Sequence, residues 1–374
     1  MGVPFIDLAA QQAEIATEVE PAVLDILRRG AFVGGPAVAA FEEEYAAFLG
    51  VAYCVGVANG TDAVELALRA VGVEPGGEVI MPANTFIATA EAASRIGAIP
   101  VPVDVDPDFL LIDPDAVAAA ITPRTQAIVP VHLFGQVAPV ERLESIASAH
   151  GLPIVEDAAQ SQGAERHGRK AGTLGRVAAT SFYPGKNLGA SGDGGAVVTD
   201  DAEIARFVRL MGSHGSVIKY QHEIVGMNSR LDAIHAITLS AKLRRLPQWN
   251  ECRRQAAARY AELLAEVPGV RVPETMPGNT DIWHLYVIRV AQGRDRVLAE
   301  LTAAGIGAGL HYPDPWHLTP AYAHLGYGRG VCPVAEKAAT EILSLPMFPH
   351  LTADQQGQVV RALRDAMGER SGRS

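Results

Sequence analysis

The stretch Ser181 to Gly195 reads S-F-Y-P-G-K-N-L-G-A-S-G-D-G-G, a single lysine in a glycine-rich loop. An apolar, strand-like run from Val177 to Tyr183 leads into it, and Lys186 stands among Gly185, Gly189, Gly192, Gly194 and Gly195. Glycine-rich turns at strand ends let backbone approach a ligand, because glycine lacks a Cβ and tolerates positive φ. A lysine there is set in a pocket. A Walker-type phosphate loop is excluded, since G-x-x-x-x-G-K-[ST] needs glycine where Thr180 stands and Ser or Thr where Asn187 stands. Two readings stay open: a solvated loop lysine, and an amine that forms a Schiff base with an aldehyde cofactor. The second requires an acid beneath a pyridine nitrogen, amides and hydroxyls at a helix start for a phosphate, and a flat cover for the ring.

The chain has 374 residues, 48% hydrophobic and 20% charged, enough for one large core and a smaller second domain. No run approaches the roughly 18 apolar residues of a membrane span. The start, M-G-V-P-F-I-D-L, lacks the features of a secretory signal, so a cytoplasmic location is expected. Cys54, Cys252 and Cys332 show no paired spacing, which argues against a disulfide framework and against a zinc site. The net charge of −11 disfavours nucleic acid and anionic membranes as partners.

Helices are expected over 7–29 and Ala37–Leu49, joined by A-F-V-G-G-P as a turn. Strands are read at Tyr53–Val57, Glu78–Pro82, Ile99–Val105, Gln126–Leu133, Pro153–Asp157, Val177–Tyr183 and Ala196–Thr199, with helical segments near 86–96, 113–121, 139–150 and 201–212. Apolar strands alternating with helices imply an α/β fold with a mostly parallel sheet covered on both faces. Ligands of such sheets sit beyond the carboxyl ends of the strands. A domain boundary is placed at 245, giving a large domain at 1–245 and a small α+β domain at 246–374. The latter carries a helix to about 266, a strand Trp283–Val290, a helix near 294–304, a strand-like Gly305–Tyr312 and helices near 333–343 and 352–367, ending in a frayed G-E-R-S-G-R-S.

The strand ends carry the candidates. Asn59, Gly60, Thr61 and Asp62 turn into a helix and leave amides and a hydroxyl at its positive end, although as an isolated motif this is a plain cap. Phe86 is the aromatic residue of M-P-A-N-T-F-I-A-T-A and either covers a ring or fills a core; Asn84 and Thr85 read as helix caps. In P-I-V-E-D-A-A-Q, Glu156 and Asp157 follow three apolar residues, a costly place for carboxylates unless charge or hydrogen bonds meet them. From Gly226 a long helix is expected, with Asn228 and Ser229 in its capping zone. Arg230 in its first turn would oppose the helix dipole and suggests an external anion, or else pairs with Asp232 or a glutamate.

With Gly60, Thr61, Phe86, Asp157, Gln160, Ser181 and Lys186 in this order, the chain resembles the DegT/DnrJ/EryC1/StrS family of nucleotide-sugar aminotransferases. The likeness runs nearly end to end, through H-Y-P-D-P-W-H-L at 311 to I-L-S-L-P-M at 342. It implies a pyridoxal 5'-phosphate (PLP) enzyme of fold type I, aspartate aminotransferase-like, working as a homodimer with shared active sites and passing through the pyridoxamine form. By the resemblance, Lys186 is the Schiff-base lysine and the proton carrier, Asp157 partners the ring nitrogen, and Gln160 contacts the phenolic oxygen. Gly60, Thr61 and Ser181 bind phosphate, with Asn228 reaching it from the other subunit; Phe86 stacks on the ring, and Arg230, His311 and Tyr312 contact substrate. Relatives that dehydrate sugars carry histidine at the position of Lys186, so lysine implies transamination, with L-glutamate as donor. The form S-F-Y-P-G-K-N-L-G followed by G-D-G-G resembles members that aminate C3 of a 3-keto-6-deoxyhexose, dTDP-linked by expectation, whereas many C4 enzymes read S-F-H-x-x-K with G-E-G-G. A C4 aminotransferase and a non-catalytic regulatory member of the fold stay open as alternatives.

Overall fold

The computed structural model describes residues 2–218 and 220–368. Two helices open the chain. The first, α1 (Leu8–Arg29), is capped by Asp7, which accepts from the Ala10 amide at 2.9 Å, and ends at Gly30 in the left-handed region, φ 66°. The second, α2 (Pro36–Leu49), starts on a proline, where no amide is needed, and buries Phe41 and Tyr45. The A-F-V-G-G-P turn between them leaves Phe32 and Val33 exposed.

The next strands are β1 (Tyr53–Val57), β2 (Glu78–Pro82), β3 (Ile99–Val103), β4 (Thr125–Ile128), β5 (Val155–Asp157), β6 (Val177–Ser181) and β7 (Gly195–Thr199). Laddered pairs give β3-β2-β4 and β1-β7-β6-β5, and the parallel bridges Ile128 to Ile154 and Val131 to Asp157 join the two groups into one sheet. Strand β7 alone in this sheet runs opposite to its neighbours. Every residue of β2 and β7 is buried, which is why these strands read as continuous apolar runs. One sheet face packs Val57, Val79, Val129 and Val197 with Leu66 and Ala93 of two crossover helices, α3 (Gly60–Ala70) and α4 (Ile87–Ile96). Ile80, Val103 and Ile128 belong to a second cluster with Val117 and Leu143 of the helices Pro114–Ala120 and Val140–His150.

Beyond the helix Leu246–Leu264, strands β8 (Val270–Arg271), β9 (Tyr286–Val290) and β10 (Ile342–Leu345) form an antiparallel sheet. Helices Arg294–Ala303 and Ala353–Met367 cover it around Tyr260, Ile288, Val297, Leu343 and Leu363. Val3 joins this core from the far end of the chain, paired through Gly305 and Gly307.

Several expected elements differ. The long helix starts at Ala233 rather than 226, because residues 227–229 pair in extended form with Met211, Gly212 and Ser213, and Asp232 bridges Val33. Arg230 therefore stands outside the helix and opposes no dipole. Gly305–Tyr312 makes only single bridges, Ile306 to Val3 and Gly309 to Ser344. Residues 342–343 belong to β10, not to the preceding helix, which ends at Glu341. From Glu369 the expected frayed tail lies outside the described residues.

Candidate active site

The parallel strands direct their carboxyl ends to one edge of the sheet, and a cavity of about 480 Å³ opens there. This lies within the roughly 300–1,000 Å³ of small-molecule sites. Gly60, Thr61, Phe86, Asp157, Gln160, Ser181, Lys186, His311 and Tyr312 all line it. Asn228 and Arg230 do not; both are exposed, and Arg230 Nε donates to Asn228 Oδ1 at 3.0 Å. Among the described residues, neither Asp232 nor a glutamate pairs with that arginine.

At the start of α3, Asn59 Oδ1 accepts from the Asp62 amide at 2.8 Å. The amides of Gly60 and Thr61, one and two positions into the helix, have no intrahelical acceptor, and both residues line the cavity. Gly60 is required there by crowding: a Cβ would lie 2.6 Å from Ser181 Cβ. Gly189 and Gly195 beside Lys186 serve the same end, whereas a Cβ on Gly185 would meet nothing nearer than 3.4 Å. None of them has positive φ, but a Cβ on Gly195 would meet the Asn59 carbonyl oxygen at 2.5 Å and one on Gly189 the Pro184 carbonyl oxygen at 2.3 Å. Absence of a side chain, not left-handed backbone, is what the loop uses.

Asp157 ends β5, buried, with Oδ1 accepting from the Ala159 amide at 3.1 Å and Oδ2 from Thr89 at 2.8 Å. Thr89 spends its proton on the carboxylate, so Thr85 donates to it in turn at 2.9 Å. Thr85 is thus a link in a relay rather than a cap, and Asn84 donates to the Leu110 carbonyl at 2.8 Å instead of capping α4. Glu156 faces away from the site. It accepts from His132 Nε2 at 2.7 Å and from the amides of Gly172, Leu174 and Gly175 at 2.8, 2.7 and 2.6 Å. Burial alone would raise this carboxyl, but the His132 contact and the amides outweigh it and hold it below the ordinary range.

The Lys186 amine is pulled down to about 8 by burial, against the opposing pull of the Asp157 charge. Phe86 is half exposed over the cavity, 5.1 Å from the Tyr312 ring, and so is not a core residue. Gln160 Oε1 accepts from the Phe134 amide at 2.7 Å while its nitrogen donates to Tyr312 Oη at 3.0 Å. Tyr312 thereby keeps its own proton free to donate. His311 stacks on Phe5, with centroids 5.4 Å apart, and pairs with Ser344 at 2.8 Å; burial first, then the Lys186 charge, lowers it to about 4. Trp316 anchors this segment by donating to the Pro82 carbonyl at 3.0 Å.

An acid, a helix start with hydroxyls, an aromatic cover and a lysine amine on one cavity wall fit PLP. Thr89, His284 and Phe5 were not evident as site residues from sequence. Only Thr89 left a signal, standing in the quoted strand-to-helix segment opposite an acid that needed donors.

The model of the DegT/DnrJ/EryC1/StrS aminotransferase family matches residues 13–364. The chain belongs to that family. PLP is the family's cofactor, and the fold is the type I transferase fold. The chain is 48% identical to "Erythromycin biosynthesis sensory transduction protein EryC1" of Saccharopolyspora erythraea, covering 97% of this chain and 99% of that one. It is 47% identical to "dTDP-3-amino-3,4,6-trideoxy-alpha-D-glucose transaminase" of Streptomyces venezuelae, covering 97% and 96%. The crystal structure of S. venezuelae DesV in complex with a ketimine intermediate superposes with a TM-score of 0.95 at 46% identity, covering 98% of each chain.

Proposed function

We propose that the chain transfers the amino group of L-glutamate to C3 of a dTDP-linked 3-keto-6-deoxyhexose. The observation that carries this reading is the shared cavity wall of Lys186 and Asp157, an amine lowered to about 8 and a buried, hydrogen-bonded carboxylate. When bound, PLP supplies an electron sink for the carbon from which a proton is removed. Lys186 would hold the cofactor at its amine, and its Nζ would take and return that proton. Its depressed affinity for protons suits it to both tasks near neutrality. Asp157, fixed by Thr89 and Ala159, keeps the ring nitrogen protonated. The Gly60 and Thr61 amides with the Thr61 and Ser181 hydroxyls would bind the phosphate, Phe86 would cover the ring, and Gln160 would meet its phenolic oxygen. His311 and Tyr312 contact the sugar, Tyr312 as a donor.

The same reading makes the enzyme a cytoplasmic homodimer in which Asn228 and Arg230, exposed in one subunit, complete the partner's site. It also divides the chain at 245, supported by the separate core around Tyr260 and Ile288. The choice of C3 rests on S-F-Y-P-G-K with G-D-G-G and on the name of the S. venezuelae transaminase. Glutamate-dependent amination of a panel of 3-keto and 4-keto nucleotide sugars tests it. Turnover confined to 3-keto sugars is expected; turnover of 4-keto sugars alone would overturn the C3 assignment, and none with any sugar would favour a regulatory role.

A further inference from the structure

Asn187 follows Lys186 directly and is 2% exposed. Its side-chain nitrogen donates to the Ile282 carbonyl at 3.1 Å and to Asn250 Oδ1 at 2.9 Å. A carbonyl only accepts, so this end of the amide is nitrogen and the opposite end oxygen. That oxygen lies 3.1 Å from His284 Nδ1. An amide oxygen has no proton to give, so Nδ1 carries the proton, and in a neutral imidazole Nε2 is then a bare lone pair. The ring is kept neutral by burial above all, with the charges of Lys186, Arg253 and His311 acting in the same direction. His284 lines the cavity that holds Lys186, and among the described residues no hydrogen bond engages its Nε2.

We propose that His284 is a positioning residue for Lys186, locked by Asn187 as the Nδ1–H tautomer so that Nε2 stands in the shared cavity as a free acceptor to which the Lys186 amino group, not hydrogen-bonded to it in this structure, turns in the working enzyme. This rests on the reading of Lys186 as the working amine. Lys186 also feels Asp157, but that carboxylate is engaged by Thr89 and Ala159. A fixed acceptor on one side of the amine directs its remaining proton or lone pair toward the reacting carbon. A neutral imidazole favours the ammonium less than a second carboxylate would, since it adds a hydrogen bond but no negative charge.

Two measurements on the cofactor-free protein test this. Nitrogen-15 spectra of the histidine side chains, needing no variant at this site, should show His284 as the Nδ1–H tautomer and untitrated between about pH 6 and 9. An Nε2–H tautomer overturns the proposal. The pH profile of Lys186 acetylation, read by mass spectrometry, should move down by about one unit or more in His284→Leu, the loss expected for a hydrogen bond to a charged group. His284→Gln, whose amide oxygen can take the place of Nε2, should move less than half as far. In the loaded enzyme His284→Leu should lower kcat about 10- to 100-fold while both KM values stay within about threefold. A folded His284→Leu with an unchanged acetylation profile overturns the proposal. Retained turnover in Lys186→Ala would instead overturn the assignment of the amine, a separate failure that the histidine spectrum does not share.

Discussion

At a pKa of about 8, half of the Lys186 amines are unprotonated at pH 8, against about 0.3% of lysines titrating at 10.5. Lys186 should therefore be about 150-fold richer in free amine than an ordinary lysine at that pH, and quicker to react with acylating reagents per unit of exposure, though by less than that factor because a less basic amine is the weaker nucleophile. The cause is desolvation, which penalises the ammonium, partly offset by the Asp157 charge. Competitive acetylation of the cofactor-free enzyme across pH, with the label counted on each lysine peptide, reads the midpoint directly. A midpoint near 8 is expected for Lys186, and Asp157→Asn should lower it further by removing the charge that favours the ammonium. A midpoint near 10.5 would show that burial does not depress this amine, and an upward move in Asp157→Asn that the carboxylate does not favour its ammonium.

Other parts of the structure give separate tests. Glu156→Gln puts an NH2 group against two donors whichever way the amide turns, His132 with Gly172 or Leu174 with Gly175; at about 1–3 kcal/mol for each, urea unfolding should show a loss of about 2–6 kcal/mol, and a change under 0.5 kcal/mol would contradict the hub. Gly60→Ala should leave the fold intact but weaken PLP binding at least about tenfold in a fluorescence titration, since the added Cβ lies 2.6 Å from Ser181 Cβ and must displace the phosphate end. Asn228→Ala should weaken PLP binding about tenfold, one charge-assisted hydrogen bond, without altering the cavity of its own subunit; unchanged affinity would remove the cross-subunit role.

The sheet was legible because most of its strands, β2 and β7 throughout, are buried on both faces and so read as unbroken apolar runs. The same logic placed candidates at strand ends, and Asp157 signalled itself as a carboxylate after three apolar residues. What escaped reading depends on partners distant in sequence. Asn187 looks like one more polar loop residue until Ile282 and His284, 95 and 97 positions on, come into contact with it. The helix expected from Gly226 has helical periodicity, but pairing of residues 227–229 with the segment at 211–213 keeps them extended until Asp232. Strand β10 was hidden for a similar reason: four buried residues after a helix carry no mark of their own, and only pairing with β9 defines them.

On the proposed function a single amine, that of Lys186, carries the chemistry. Reducing the PLP-loaded enzyme with borohydride and mapping the modified peptide tests it most directly. The pyridoxyl group should be found on Lys186, and the visible band present before reduction should shift when glutamate is added. A label on any other lysine, or a band indifferent to glutamate, would contradict the claim.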